Sequence, residues 1–191
     1  YRTSTTTSKS RMISKKNKTD SPTRPRIIIG IDPGLANAGW GVLRVQGSRL
    51  VYLAHGCIST SPRDSRSARL ARLFGAFNEV LDTWQPLEAG MELLYFSKNV
   101  TSALPVAEAR GIFSLALELR GIPLAEYQPM AIKQAVVGTS SADKAQVQEL
   151  VRILLGLAEI PKPDHAADAL GAAICRAHEL PALAQAQSGG L

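Results

Sequence analysis

The segment RIIIGIDPGLANAGWG, residues Arg26–Gly41, contains a nearly continuous apolar run that ends in one carboxylate and a glycine-containing turn. An apolar run without alternation is typical of a strand buried on both faces of a sheet, and it predicts a central strand over Arg26–Asp32. Asp32 then has two interpretations. It either forms a turn with Pro33 and Gly34, as Asp commonly does through hydrogen bonds to the following backbone, or it holds a ligand where the sheet opens.

Further strands and helices are predicted from the patterns that follow. Strands over 39–45 and 50–59 lie between short glycine-containing turns, which predicts that the first three strands form an antiparallel meander. Between Arg66 and Trp84, apolar residues recur at intervals of three and four, which predicts a helix that ends before Pro86. The remaining elements are predicted as a strand over 88–95, a helix over 99–120 and a strand over 121–128. Three helices follow, over 129–138, from about Ser141, and over 163–179.

This order of elements predicts an α/β domain of the RNase H-like class, with a mixed five-stranded sheet and helices on both faces. It does not fit the doubly wound dinucleotide-binding fold. That fold begins strand-helix-strand and carries a GxGxxG motif after the first strand, which DPGLANAG does not match.

The net charge of +6 is concentrated at the N-terminus. Residues 1–26 contain eight Lys or Arg residues and one acid, whereas the rest of the chain contains 14 basic and 15 acidic residues. A basic segment rich in Ser and Thr does not bury a core, so we expect a disordered tail over 1–25, one folded domain over 26–180 and a frayed tail over 181–191. The basic tail either attracts polyanions or serves only as a solubilising extension, so it does not by itself indicate nucleic-acid binding.

The location of the protein is predicted from its apolar segments and cysteines. No apolar segment approaches the about 20 residues that cross a bilayer, and the N-terminus does not resemble a secretory signal. Cys57 and Cys175 lie far apart, inside apolar segments and without metal-ligand spacing. We therefore expect two reduced thiols in a cytoplasmic protein that has no membrane partner.

Acidic residues on separate elements are the candidates for a site. Glu92 interrupts the apolar strand GMELLY, so it either faces solvent or belongs to a polar site. In the segment PKPDHAADALGAA, helical spacing places both Asp164 and His165 on the face of Asp168. A favourable interaction with the helix dipole explains Asp164 but leaves Asp168, on an alanine-rich helix, unexplained.

An oxygen-rich set of Asp, Glu and His or Asp from three elements favours a site for Mg²⁺ or Mn²⁺, and the imidazole favours Mn²⁺ slightly. Two such ions activate a water molecule and stabilise the leaving oxygen during phosphodiester hydrolysis. The presence of acidic residues on three separate elements therefore favours the interpretation that Asp32 holds a ligand over the interpretation that it only forms a turn.

Four ordered blocks of the sequence resemble the RuvC family of bacterial Holliday junction resolvases: GIDPGLANAGWGV, MELLYFSKNVTSALPVAEARG, KQAVVGTSSADKAQVQELV and DHAADAL. The resemblance extends over about residues 26–179. It implies an RNase H-like nuclease domain, a homodimer, and dependence on two divalent ions per active site. It also implies paired symmetric nicks in four-way DNA junctions during homologous recombination and DNA repair, and cooperation with the RuvA–RuvB branch-migration complex.

The resemblance assigns roles to individual residues. The catalytic and metal-binding set falls on Asp32, Glu92, His165 and Asp168, with Asp164 as the alternative ligand to His165. A second set is implied to contact DNA. It consists of Tyr95, which would stack on unpaired bases, Phe96, which either stacks or packs in the core, Lys133 and Lys144 near the scissile phosphate, and Lys98, Asn99 and Arg110 on backbone phosphates. Ser141 is expected to cap the helix that presents Lys144 in its first turn, although a solvated lysine is the simpler interpretation from sequence alone.

Three functions remain open at this point. The first is a structure-selective endonuclease that leaves 5′-phosphate and 3′-hydroxyl ends. The second is a phosphate-binding ATPase of the actin or sugar-kinase type, which also begins with a strand and an Asp-x-Gly turn but needs two such lobes. The third is a protein that binds junctions without cutting them.

Overall fold

The structure is a computed structural model that describes residues 25–93 and 100–179. Within these residues, five strands form one mixed sheet in the order β3-β2-β1-β4-β5. The strands are β1 Arg26–Asp32, β2 Asn37–Gln46, β3 Arg49–Ser59, β4 Glu88–Glu92 and β5 Leu124–Tyr127. The helices are α1 Arg66–Trp84, α2 Val100–Glu118, α3 Pro129–Val137, α4 Lys144–Leu155 and α5 Asp164–His178.

The central strand β1 has different neighbours on its two sides. It pairs antiparallel with β2, which pairs antiparallel with β3, so the predicted meander is confirmed. It pairs parallel with β4, and Ile31 lies opposite Met91. Because parallel strands end at the same edge of a sheet, Asp32 and Glu92, the residues after Ile31 and Met91, lie side by side at the ends of neighbouring strands. We call this the carboxyl edge, the edge at which β1 ends in Asp32 and β4 in Glu92.

Both faces of the sheet are covered by helices, as predicted. Ile29 and Ile31 of β1 pack in one core with α1 and α2, and Ile28 packs in a second core with α3, α4 and α5. All three isoleucines are fully buried. The absence of alternation in the apolar run over Ile27–Ile31 therefore follows from burial on two faces.

The helix α1 begins and ends at the predicted residues because its signals are local. Ser65 caps it by accepting a hydrogen bond from the amide of Ala68, and the chain turns at Gln85, which has a φ of 46°. Leu73, Phe77 and Leu81, which are spaced four residues apart, are buried in the core that α1 forms with the sheet. Such an amphipathic pattern with a capping serine defines a helix without help from the rest of the chain.

The start of α4 differs from the prediction. The helix begins at Lys144 and is capped by Asp143, whose carboxylate accepts from the amide of Gln146, while the Gln146 side chain accepts from the amide of Asp143. This reciprocal pair provides acceptors for two backbone amides at the start of the helix. A cap at Ser141 would have Lys144 three residues later, and a lysine side chain has no acceptor to complete such a pair. Ser141 therefore lies before the helix and does not cap it.

Several predicted segments are shorter in the structure or lie outside it. The strand β5 covers four residues of the predicted 121–128, and β4 ends at Glu92, with 94 and 95 outside the described residues. Nearly all of the predicted N-terminal tail and all of 181–191 also lie outside them, so the division into domain and tails stays a prediction. Among the described residues, no helix is long and apolar enough to cross a membrane.

Candidate active site

Asp32 and Glu92 form one half of the site, at the carboxyl edge. Asp32 ends β1 and Glu92 ends β4, and both line one cavity of about 240 Å³ together with Arg110. The side chain of Asp32 is 18% exposed. A carboxylate this far from solvent is unusual without a partner, so its surroundings determine what it can do.

The other half of the site comes from α5, which lies unusually close to the sheet. A Cβ atom placed on Gly39 would lie 1.9 Å from the carbonyl oxygen of His165, and one on Gly30 would lie 1.9 Å from that of Ala169. Only glycine in β1 and β2 leaves room for the backbone of α5 at this distance. Between Ala166 and Ala173, all side chains of α5 except Asp168 are buried, and all of these buried residues except Leu170 are alanine or glycine, which completes the close packing.

This packing brings His165 to Asp32. The Nδ1 atom of His165 lies 2.6 Å from Oδ2 of Asp32, so the Nδ1–H tautomer donates a short hydrogen bond to the carboxylate. Burial raises the pKa of Asp32, and the negative charge of Asp168 raises it further, against the hydrogen bond from His165. Asp32 is therefore a desolvated carboxylate with another acid nearby, an arrangement common in catalytic sites.

Glu92 and Asp168 complete the acidic cluster, which we define as Asp32, Glu92 and Asp168. Burial raises the pKa of Glu92, and the charges of Asp32 and Asp168 raise it further. Lys144 lies beside Asp168, with its Nζ 3.2 Å from Asp168 and 3.4 Å from Asp164. The three carboxylates therefore share one electrostatic environment, and the ammonium group of Lys144 partly neutralises it.

Asp164 and His165 are neighbours in sequence but face different partners. Asp164 is 67% exposed and pairs with Lys144, whose hydrogen bond lowers the pKa of Asp164. His165 contacts Asp32. Successive residues on a helix point in directions about 100° apart, so only one of the two can face β1.

The predicted DNA-contacting cations within the described residues lie beside the acidic cluster. Lys133 and Lys144 line a second cavity, of about 230 Å³, with Glu92 and Asp168. The Nζ of Lys133 donates to the carbonyl of Ala142 at 2.7 Å and so links α3 to the turn before α4. Arg110 donates to the Glu92 carbonyl and to Glu126. Both groups therefore hold local structure in this conformation as well as lining the cavities.

Four predicted DNA contacts, Tyr95, Phe96, Lys98 and Asn99, lie outside the described residues. The glycines that admit α5 are functional positions that the sequence reasoning missed. Their signal was present, because glycines inside the strands at 30, 39, 41 and 90 oppose an alanine-rich helix. Glycine within a strand often marks the close approach of another backbone.

The donor chemistry of the site fits a hard divalent cation. Carboxylate oxygens are the preferred ligands of Mg²⁺ and Mn²⁺. Burial, followed by the charges of neighbouring acids, raises the pKa values of Asp32 and Glu92, and a cation placed among these carboxylates would favour their charged forms. Within 25–93 and 100–179, no three His, Cys, Asp or Glu side chains stand close enough together to hold an ion. The residues thus fit a metal in type and charge, while their side chains are not arranged as a completed coordination sphere.

Comparison with known proteins identifies the family. The family model described as crossover junction endodeoxyribonuclease RuvC matches residues 28–176, which contain all the site residues discussed above. The chain belongs to the RuvC family.

Relatives in this family are similar over most of their length. The RuvC of Treponema denticola is 50% identical over 149 residues, which are 78% of this chain and 84% of the relative. The RuvC of Heliobacterium modesticaldum is 48% identical over 154 residues, 81% of this chain and 95% of the relative. The protein is accordingly an endodeoxyribonuclease, a hydrolase that acts in DNA recombination and repair, and the family match favours this function over the ATPase alternative.

Solved structures agree with the fold. The structure described as T. thermophilus RuvC in complex with Holliday junction substrate is 35% identical, with a TM-score of 0.76 over 80% of this chain and 93% of that one. The yeast mitochondrial Holliday junction resolvase Ydc2 is 17% identical, with a TM-score of 0.59, covering 83% of this chain and 82% of that one, and it supports the fold alone. The predicted RNase H-like architecture is confirmed.

Proposed function

We propose that the protein resolves four-way DNA junctions by paired symmetric nicks, using Asp32, Glu92, His165 and Asp168 as its catalytic and metal-binding set. The observation that carries this proposal is the convergence of three elements at the carboxyl edge. The strands β1 and β4 end in adjacent carboxylates, and close packing of α5 on Gly39 adds His165 and Asp168. A member of the same family is similar to this chain and is described in complex with a Holliday junction substrate.

The four residues would hold two Mg²⁺ or Mn²⁺ ions, and bound cations of this kind activate water and stabilise the leaving oxygen in phosphodiester hydrolysis. The chain itself orients the ligands. His165 fixes the direction of the Asp32 carboxylate through its Nδ1 atom, and Arg110 holds the backbone at Glu92. Burial of Asp32 and Glu92 limits competition from bulk water, which strengthens the attraction of both carboxylates for a cation.

Basic and aromatic residues around the cluster would bind the DNA. Lys133 and Lys144 stand at the rim of the second cavity, where their ammonium groups would meet a phosphate that enters it. Lys144 would exchange its contacts with Asp164 and Asp168 for this phosphate when cations neutralise the carboxylates. For Tyr95, Phe96, Lys98 and Asn99, the proposed contacts with bases and phosphates rest on the sequence resemblance alone.

The proposal includes a homodimer, because two identical sites related by a twofold axis match a symmetric junction. Exposed apolar side chains on α2 and directly after it support it: Leu104 is 54% exposed and Leu115 50%, and Leu119, the residue that follows the helix, is 67% exposed. Large exposed apolar groups that lie close together on a surface are typical of a protein interface. We further propose cooperation with RuvA–RuvB and action in the cytoplasm, where the DNA substrate would be.

The test compares Asp32→Asn with Asp82→Asn on a synthetic four-way junction labelled on opposing strands, in Mg²⁺, in Mn²⁺ and in EDTA. Asp82 is a matched control because it lies on α1, 70% exposed and paired with Arg120. We expect Asp32→Asn to lower the cutting rate by at least about a hundredfold while junction binding persists, since a bound cation supplies several kcal/mol of transition-state stabilisation. EDTA should abolish cutting by the unchanged protein. Undiminished cutting by Asp32→Asn would refute the assignment.

A further inference from the structure

The corner where β3 ends, Ser59–Thr60, is tied to the loop that follows Asp32. The hydroxyl of Thr60 donates to the carbonyl of Leu35 at 2.6 Å, and the amide of Thr60 donates to the carbonyl of Ala36 at 2.9 Å. Ser59 pairs with Asn37 at the carboxyl-edge end of β2. The corner is therefore held at the same edge of the sheet as the acidic cluster.

Two arginines of α1 are anchored to this corner by one nitrogen each. The Nε of Arg69 donates to the hydroxyl of Thr60 at 2.8 Å, and the Nε of Arg72 donates to the carbonyl of Ser59 at 2.9 Å. Among the described residues, neither arginine forms an ion pair or donates a hydrogen bond from its Nη atoms. Each guanidinium is thus oriented by the protein, while no group within 25–93 and 100–179 accepts from its two Nη atoms.

The surrounding sequence has a local excess of positive charge. Arg63, Arg66, Arg69 and Arg72 follow one another at intervals of three, with one acid, Asp64, among them. Of the four, Arg66 is paired with Glu108. Acidic and basic residues are nearly balanced beyond the N-terminal tail, so this cluster stands out from the rest of the folded body.

An open groove lies between the corner and the start of α5. Its lining comes from two parts of the chain: Asn37, Cys57 and Ser59 of β2 and β3, and the segment 162–165, which includes Lys162, Asp164 and His165. His165 contacts Asp32, and the carbonyl of Ser59 holds Arg72. A DNA strand lying along this groove, beside His165, would therefore come next to Ser59, whose carbonyl anchors Arg72.

We propose that Arg69 and Arg72, together with Arg63 of the turn before α1, bind neighbouring backbone phosphates of a duplex arm of the junction, outside the catalytic site. A planar guanidinium with its Nε anchored presents two parallel N–H donors, which match two phosphate oxygens. Arg69 and Arg72 lie one helical turn apart, so they form adjacent points of contact. This assignment rests on the proposed function, because its ligand is an arm of the same four-way junction.

The experiment measures binding of a fluorescent four-way junction to the full-length protein over a range of salt concentrations. Arg69→Gln/Arg72→Gln should reduce the slope of log K against log salt by about 1.8, because each phosphate contact contributes about 0.9. Affinity at low salt should fall by about tenfold for each arginine, as expected for a charged hydrogen-bonding contact. Arg49→Gln is the matched control for the change at Arg72, because Arg49 is also exposed but lies at the start of β3, at the end of the sheet away from the carboxyl edge. This variant should leave the slope unchanged.

Two further variants separate phosphate binding from a structural role. Arg72→Lys keeps the positive charge but loses the paired N–H donors of the guanidinium. It should therefore retain most of the salt slope of the unchanged protein while binding the junction more weakly. Asp82→Asn, the exposed control on the same helix, should bind with the slope of the unchanged protein. A double variant that folds and keeps this slope overturns the arginine assignment alone. If the unchanged protein neither binds nor cuts the junction, the proposed function falls and the arginine assignment falls with it.

Discussion

Replacing Gly39 by alanine places a methyl group inside the backbone of α5. The new Cβ would lie 1.9 Å from the carbonyl oxygen of His165 and 2.3 Å from its carbonyl carbon, whereas real Cβ atoms stay at least 3.0 Å from such neighbours. The helix must therefore withdraw by at least 1.1 Å, the difference between 3.0 and 1.9 Å. This shift would move His165 and Asp168 away from Asp32 without changing any proposed ligand.

We expect two measurable effects of Gly39→Ala. Overpacking of this kind costs about 1–3 kcal/mol of unfolding free energy, which lowers the melting temperature by roughly 2–12 °C for a domain of this size. A displacement of about 1 Å in a catalytic group reduces the rate by about a hundredfold. Thermal unfolding followed by circular dichroism and single-turnover cleavage of a four-way junction measure the two effects.

Gly75→Ala in α1 is the matched control. A Cβ on Gly75 would meet no atom within 4 Å, so the same chemical change occurs there without overlap. Because alanine favours a helix over glycine by up to about 1 kcal/mol, this variant should be slightly more stable and cut at the normal rate. If Gly39→Ala matched Gly75→Ala in both melting temperature and rate, the close approach of α5 would not position the site.

Two further predictions concern an ion pair and the choice between two ligands. Arg26 donates to both oxygens of Glu88 and holds the pKa of Glu88 below its ordinary value of 4.5. The ion pair therefore stabilises the folded state fully above pH 4.5, and its contribution is lost as the pH falls through the lowered pKa. Urea unfolding of Glu88→Gln should thus show a loss of about 1.5–3 kcal/mol at neutral pH that disappears in acid, and an equal loss at both pH values would contradict the account. His165→Ala should slow cleavage in Mn²⁺ by at least about 10–100-fold, whereas Asp164→Asn, which removes a carboxylate facing Lys144, should have a smaller effect. The reverse order of rates would make Asp164 the ligand.

The fold was largely predictable because most of its signals are local. The apolar run of β1 and the period of α1 predicted both elements with their observed bounds, Arg26–Asp32 and Arg66–Trp84. The start of α4 was not predicted, because several polar residues precede that helix. The reciprocal bonds of Asp143 and Gln146 select among these residues, and they form only when the turn is built.

The candidate site was predictable in its residue types but not in its construction. Carboxylates in apolar surroundings identified Asp32, Glu92 and Asp168, since such groups are rarely kept without a function or a partner. The anchoring of Arg69 and Arg72 was not visible, because their partners Thr60 and Ser59 lie on a different element. Contacts of this kind depend on how a helix lies against the end of a strand.

By itself, the sequence determined the order of the elements and the acidic residues that end β1 and β4. Apolar periodicity and turn residues act over a few positions, so they can be read without a structure. Only the tertiary structure decided that His165, and not its neighbour Asp164, faces Asp32. Which of the two residues faces Asp32 depends on the rotation of α5 about its own axis. That rotation is determined by the close packing of α5 on Gly30 and Gly39.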